Sequence, residues 1–296
     1  MIRLYDYALS GNCYKVRQML AWLGLDYQTV PVDFHPGREH KSAAFLARVN
    51  PLGQLPVIDD DGFVLRDAQA ILVYLASKYD TQAHWYPVDP QLRGQIAMWF
   101  ATADQITRTA SAARLHDAFG YETIDVEACR RGAHEVFRLL DDHLAERASD
   151  GLRWLAGPNA TVADLACFPY VALAGEGGIS LDEYPALRSW ARDFRHLPGF
   201  IGMSGIFAAL PVPSPFALKP HENQSCRRLE IRRPPHHRNR RPRGPQVWRG
   251  AGRDQGHRHL PHRLLHPLWR RPGRHLPRHP RPVSYTHLTL PTNREV

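Results

Sequence analysis

Apolar and polar residues alternate through Ile2–Tyr7 (IRLYDY), the period of a half-buried strand. Val16, Met19, Leu20 and Leu23 then recur at helical spacing, and Gly24 ends that helix. YQTVPV predicts a second strand, HPGREHK a polar loop, and SAAFLARVN a short helix stopped before Pro51. QLPVIDDDGFVLRD has two apolar runs around Asp61-Gly62, the pattern of a hairpin, and AQAILVYLASKY is a helix. Residues 1–79 therefore read βαβ followed by αββα. Beyond the linker DTQAHWYPVDP the strand signals stop. Ile96, Trp99, Phe100, Ala103 and Ile106 mark one long helix; Cys129, Val136, Phe137, Leu140 and Leu144 mark another. Thr161-Val162-Ala163-Asp164 has the form of a capping box, and YPALRSWARDFRHL is a further helix. The pattern predicts an α/β domain over 1–80, a linker over 81–90 and an all-helical domain over 91–212.

Composition changes the picture after that point. The chain of 296 residues carries a net charge of +9, but the charge is not spread evenly. Residues 221–296 hold 18 arginines, no lysine and four acidic residues, a net of +14, against −5 for the rest. Eleven prolines in this stretch forbid long helices, and its few apolar residues cannot offset chain entropy. Residues 213–296 are expected to be a disordered Arg/His/Pro-rich tail. Such a tail could bind nucleic acid. Arginine without lysine is instead what out-of-frame reading of a GC-rich gene gives, and SYTHLTLPTNREV looks like translated adapter or vector sequence. On that reading the tail has no function, and nucleic acid is disfavoured as a partner. The four cysteines (Cys13, Cys129, Cys167, Cys226) form neither a zinc spacing nor a disulfide framework, which fits a reducing, cytoplasmic setting. Signal-peptide and membrane-span patterns are absent, and no metal cluster is indicated. Gly175-Glu176-Gly177-Gly178 lacks a following Lys-Ser/Thr, so it reads as a loop rather than a phosphate cradle.

YDYALSGNCYKVRQMLAWLGLDY, NPLGQLPVIDDDGFVLRDAQAILVYLASKY, ATVADL and YPALRSWARDFRHLPGF together resemble a bacterial cytosolic glutathione S-transferase, in order and spacing over about residues 1–210. The resemblance implies a thioredoxin-like N-terminal domain, an all-α C-terminal domain and a homodimer. It also implies glutathione as co-substrate, a small electrophile as second substrate, and a role in detoxification.

Ser10 and Cys13 occupy the positions where a thioredoxin carries Cys-x-x-Cys. With the first sulfur gone, the resemblance makes Ser10 a hydroxyl donor to the thiolate of glutathione. Its ordinary alternative is a helix N-cap. Asn12 is the rival donor. Cys13 could form a mixed disulfide, although a buried, inert thiol is the plainer state. Leu55-Pro56 matches the motif whose proline is cis and whose Leu55 backbone pairs with the cysteinyl part of glutathione. Asp67-Ala68 matches an acid–serine pair for the γ-glutamyl end. Alanine in place of the serine removes one hydrogen bond, while the Ala68 amide can still donate. Lys41 or His40 is expected at the glycyl carboxylate, and Gln54 at the peptide backbone. Asp164 reads as structural, and Arg17 and Arg66 as salt-bridged surface residues. Tyr7, Leu9, Trp99, Phe100, Thr107, Arg108 and His116 are candidates for the electrophile end.

Four functions use this frame: conjugation of glutathione to an electrophile, glutathione-dependent disulfide reduction, glutathione-assisted isomerisation, and a catalytically silent interaction module. The Ser-Ser-Cys signature expected of a maleylacetoacetate-type isomerase is absent from the Ser10 loop.

Overall fold

Parallel pairing of β1 (Ile2–Asp6) with β2 (Tyr27–Pro31) requires a crossover, and α1 (Gly11–Trp22) supplies it. The computed structural model describes residues 1–209; the expected tail over 213–296, with any nucleic-acid role for it, lies outside the described residues. A 3₁₀ turn (Glu39–Lys41) and α2 (Ala43–Arg48) lead to the antiparallel hairpin of β3 (Val57–Asp60) and β4 (Phe63–Arg66). Then α3 (Ala68–Tyr79) follows. The sheet order is β2-β1-β3-β4, with β1 antiparallel to β3. Leu4 and Ile58 join Val16, Met19 and Leu20 of α1 and Ile71, Leu72 and Leu75 of α3 in the core. Tyr5 points to the opposite face, where its ring meets Phe45 of α2 edge-on at 6.5 Å.

The rest is helical: α4 (Pro90–Ile106), α5 (Ala112–Phe119), α6 (Val126–Ser149), α7 (Val162–Ala172) and α8 (Pro185–Arg195). Two of the expectations need refining. The helix begun at Pro90 does not simply end. A π turn at Thr107–Ser111 joins α4 to α5, where the Thr107 and Thr109 hydroxyls donate back to the Ala103 and Gln105 carbonyls at 2.9 and 2.7 Å. Arg17 is ion-paired as expected, with Asp6, whereas Arg66 is exposed and has no ion pair among the described residues.

Ser10, Ser42, Asp67, Asp89, Asp125 and Thr161 each cap a helix through a side-chain oxygen. The capping box of α7 is present as read. Asp164 is wholly buried and accepts from Leu155 N, Thr161 N and Trp190 Nε1, each at 2.9 Å. Its pKa is raised to about 6 by burial, against the pull of those donors. α7 is apolar nearly all round and buried nearly all round, which suits a helix at the centre of the molecule. It packs against α1, α3, α4 and α8. That position lets α7 reach the chemistry at the start of α1.

Candidate functional site

The turn Tyr7–Asn12, between β1 and α1, is held by its neighbours. Arg17 pairs with Asp6 and donates to the Ala8 carbonyl at 2.9 Å. Gly11 is there because α7 is close: a Cβ at that position would lie 2.7 Å from the Tyr170 ring and 3.2 Å from Pro169. The Tyr170 hydroxyl accepts from Asn12 N at 3.2 Å, and the Ser10 hydroxyl accepts from Cys13 N at 3.2 Å. Two of the amides at this helix start are therefore occupied, and the Gly11 amide takes no partner among the described residues. The Ser10 and Asn12 side chains add further donors. Ser10 is the N-cap, as its ordinary reading has it, yet capping uses an oxygen lone pair and leaves the O–H proton free. Asn12 has its Oδ1 buried without a partner, and its amide nitrogen takes none among the described residues.

A cavity of about 530 Å³ opens beside this turn, within the size range of small-molecule sites, roughly 300–1,000 Å³. Ser10, Asn12, His40, Lys41, Gln54, Leu55, Pro56, Asp67 and Ala68 all line it, although they come from separate stretches of chain. The Leu55–Pro56 peptide is cis, and neither the amide nor the carbonyl of Leu55 takes a partner among the described residues. The turn before it is held by Asn50, which donates to the Gln54 carbonyl at 2.9 Å and accepts from Leu52 N at 3.0 Å. Asp67 has φ +79°, a strained backbone for a residue other than glycine, and caps α3 by accepting from Ala70 N at 3.0 Å. Ala68 is buried beside it. Gln69 donates to Asp104 at 2.9 Å, and Asp104 adds a second carboxylate to the cavity wall. Lys41 is exposed and donates to the Leu52 carbonyl at 3.3 Å. His40 is buried, stacked on Phe34 at 4.1 Å; burial, Lys41 and Arg38 hold its pKa below the ordinary value. Cys13 is fully buried, and burial pushes its thiol up to about 12, so it is inert.

The same two-part arrangement is found in known proteins. The family model for the glutathione S-transferase N-terminal domain matches residues 4–83, and that for the C-terminal domain matches 91–198. Mouse glutathione S-transferase theta-1 is 31% identical over 199 residues, 64% of this chain and 80% of that protein. The chain belongs to the glutathione S-transferase family. It is also similar to a maleylacetoacetate isomerase of Pseudomonas aeruginosa, 30% identical over 63% of this chain and 88% of that protein. Among solved structures it resembles a glutathione S-transferase of Xanthobacter autotrophicus, at 29% identity and a TM-score of 0.60, over 68% of this chain and 96% of that one.

For this glutathione S-transferase-family chain the electrophile end needs correcting. Tyr7, Leu9, Thr107 and Arg108 line the cavity, but Trp99, Phe100 and His116 do not. Trp99 is turned into the helical core against His143. Phe100 faces a separate groove beside α3, and His116 is paired with Asp117 at 2.8 Å. Helical spacing identifies an apolar face without saying which part of it meets a cavity.

The aromatic wall comes from Phe34, Phe119 and Tyr121, which the sequence reading missed. Phe34 lay in an unremarkable stretch next to a loop, and the other two follow the π turn that redirects α5. Ser111 and Arg114, on and just after that turn, were missed too; Arg114 is buried, salt-bridged to Glu176 at 2.6 Å, and donates to the Leu9 carbonyl at 2.8 Å. Burial raises the Tyr7 pKa, and Arg114 partly offsets this. Tyr170 stands 158 residues from Asn12, with no local signal to reveal the contact. Among the described residues no group of three His, Cys, Asp or Glu side chains is arranged as metal ligands would be. No helix among them is long and apolar enough to cross a membrane.

Proposed function

We propose that this chain is a glutathione transferase: it binds glutathione in the cavity, holds the sulfur as thiolate, and adds it to a small hydrophobic electrophile. The observation that supports this reading is the meeting of nine expected residues in one cavity. Asp67 takes the γ-glutamyl ammonium, and the Ala68 amide at the start of α3 donates to the γ-glutamyl carboxylate. The free Leu55 N–H and C=O pair with the cysteinyl backbone as a neighbouring strand would, and Gln54 adds a side-chain contact. Lys41, with His40 beside it, faces the glycyl carboxylate.

Ser10 and Asn12 are the catalytic residues, each donating to the sulfur. One charge-assisted hydrogen bond, about 1.5–3 kcal/mol, lowers a thiol pKa of about 8.5 by one to two pH units, which makes thiolate abundant near neutrality. The thiolate attacks the electrophilic carbon, and a C–S bond forms. The displaced group leaves with its electron pair, or the adjacent carbon takes up a proton. Phe34, Phe119 and Tyr121 shelter the electrophile. We further propose a cytoplasmic homodimer acting in detoxification; the exposed Phe63, Val64 and Met98 supply apolar surface for a second copy.

Titration of the thiol of bound glutathione tests the assignment. Ser10→Ala and Asn12→Ala should each raise its pKa by at least one pH unit. If neither moves it, the catalytic assignment is wrong. The 30% identity to an isomerase favours a second reading, in which glutathione adds to a cis double bond and leaves again unchanged. Product analysis separates the two. A conjugate formed from an aryl halide supports transfer; isomerised product with no glutathione consumed supports the other. Reduction of a mixed glutathione disulfide would point to a reductase, and binding without any turnover to a silent module.

A further inference from the structure

Two polar atoms on the inner side of α1 are buried without partners. Lys15 has no exposed surface, and its Nζ makes no hydrogen bond. Asn12 Oδ1, three residues earlier, is in the same condition. Residues three apart on a helix share a face, with Cβ atoms about 5–6 Å from each other. Both also lie against one neighbour: Asn12 N donates to the Tyr170 hydroxyl, and Lys15 Nζ is 5.7 Å from the centre of the Tyr170 ring. A buried ammonium without an acceptor is costly, and so is a buried carbonyl oxygen without a donor. Each is what the other lacks, and their spacing puts both on the side of α1 that faces Tyr170.

The pairing matters because a side-chain amide is nearly symmetric in shape but opposite in chemistry at its two ends. Turned one way, Asn12 offers two N–H donors to the cavity. Turned the other way, it offers an oxygen to a thiolate and repels it. We propose that Lys15 is a positioning residue: its ammonium holds Asn12 Oδ1 inside the protein and so keeps the Nδ2 hydrogens facing the sulfur of glutathione. This rests on the reading of Asn12 as a thiolate donor. Burial pushes the Lys15 pKa down to about 8, against the pull of Cys167, Asp67 and Asp104. Those three, with Tyr170, are the titratable groups facing it from α7, the start of α3 and α4. Near pH 7 the ammonium is the prevailing form.

The test uses the full chain with bound glutathione and the titration of its thiol. Wild type is compared with Asn12→Ala, Lys15→Met, Lys15→Gln and the Asn12→Ala/Lys15→Met double variant. Asn12→Ala and Lys15→Met should each raise the thiol pKa by about one pH unit, roughly a tenfold loss of thiolate near neutrality. The double variant should do no more than the stronger single, because both remove the same donor. In Lys15→Met, kcat should fall while KM for glutathione stays; Lys15→Gln keeps an N–H for Oδ1 and should recover most of the shift. Methionine fills the space but leaves Oδ1 without its donor, so Lys15→Met should melt somewhat lower than wild type, and the titration is run where melts show every variant folded; Lys15→Leu repeats the test if it fails to fold. A shift with Asn12→Ala but none with Lys15→Met overturns the proposal and leaves Asn12 a donor. Additive shifts also overturn it, because Lys15 would then act through its field alone. No shift with Asn12→Ala removes the donor reading itself, and this inference with it.

Discussion

Ala68 is the one position where the cavity departs from the pattern its family resemblance implies, and Ala68→Ser should restore what is missing. The residue begins α3, is 3% exposed and lines the cavity beside Asp67. In the proposed pose, a serine hydroxyl at this position would face the γ-glutamyl carboxylate beside the Ala68 amide. A net hydrogen bond is worth about 0.5–1.5 kcal/mol, so glutathione should bind roughly threefold to tenfold tighter. The bond is far from the sulfur and is the same before and during the reaction. KM for glutathione should therefore fall with kcat unchanged, as uniform binding requires. Calorimetric titration with glutathione measures the gain directly. S-methylglutathione, which has no thiol to titrate, should gain equally. Ala70→Ser, exposed on the first turn of the same helix, is the control and should change neither. Equal affinity of Ala68→Ser and wild type, in a protein that melts normally, would refute the placement of the γ-glutamyl end at α3. A gain for glutathione but not for its S-methyl derivative would instead move Ala68 toward the sulfur and contradict the orientation.

Asp60 accepts from Tyr74, Lys78 and Tyr79 at 2.7, 2.7 and 2.6 Å, tying β3 to α3. Burial opposes its ionisation, but the Lys78, Tyr79 and Tyr74 hydrogen bonds prevail and bring its pKa down to about 2. Since the folded value is below the unfolded one, its stabilisation is complete above about pH 4 and is lost as pH falls toward 2. Thermal melts of wild type and Asp60→Asn should converge across that window, and parallel curves would count against it. Asp164→Ala leaves three buried donors unsatisfied and should lose about 3 kcal/mol or more in urea unfolding, with α7 the element disturbed; a loss below about 1 kcal/mol would contradict the capping role. Phe63→Glu with Met98→Glu should turn a homodimer into a monomer by sedimentation without lowering the melting temperature of the folded chain; unchanged sedimentation would show that these side chains form no such interface.

What could be read from the sequence is what local physics encodes. The alternation in Ile2–Tyr7, the Asp61-Gly62 turn, the Thr161–Asp164 box and the Ser10 cap each act within a few residues, and each is where the pattern put it. The candidate residues on the glutathione side were accessible for a related reason. They sit at strand ends and helix starts, where type and spacing are constrained together. The rest of the cavity wall was only partly accessible: Tyr7, Leu9, Thr107 and Arg108 were read and line it, but Trp99 and Phe34 are equally apolar on paper, and only tertiary packing decides that one is core and the other wall. Lys15 shows the same limit more sharply. In sequence it is one charge in Cys-Tyr-Lys-Val-Arg, close to Arg17, which does reach an acidic partner, Asp6. Positions two apart on a helix are turned about 200° from each other, so α1 cannot present Lys15 and Arg17 to the same side. α7 covers one side of α1, and Lys15 is on it. The fold thus places a cation behind the first turn of the helix, where it can hold the negative end of a side-chain dipole inward. The Asn12 amide is the one group in that turn with a buried oxygen left unpaired.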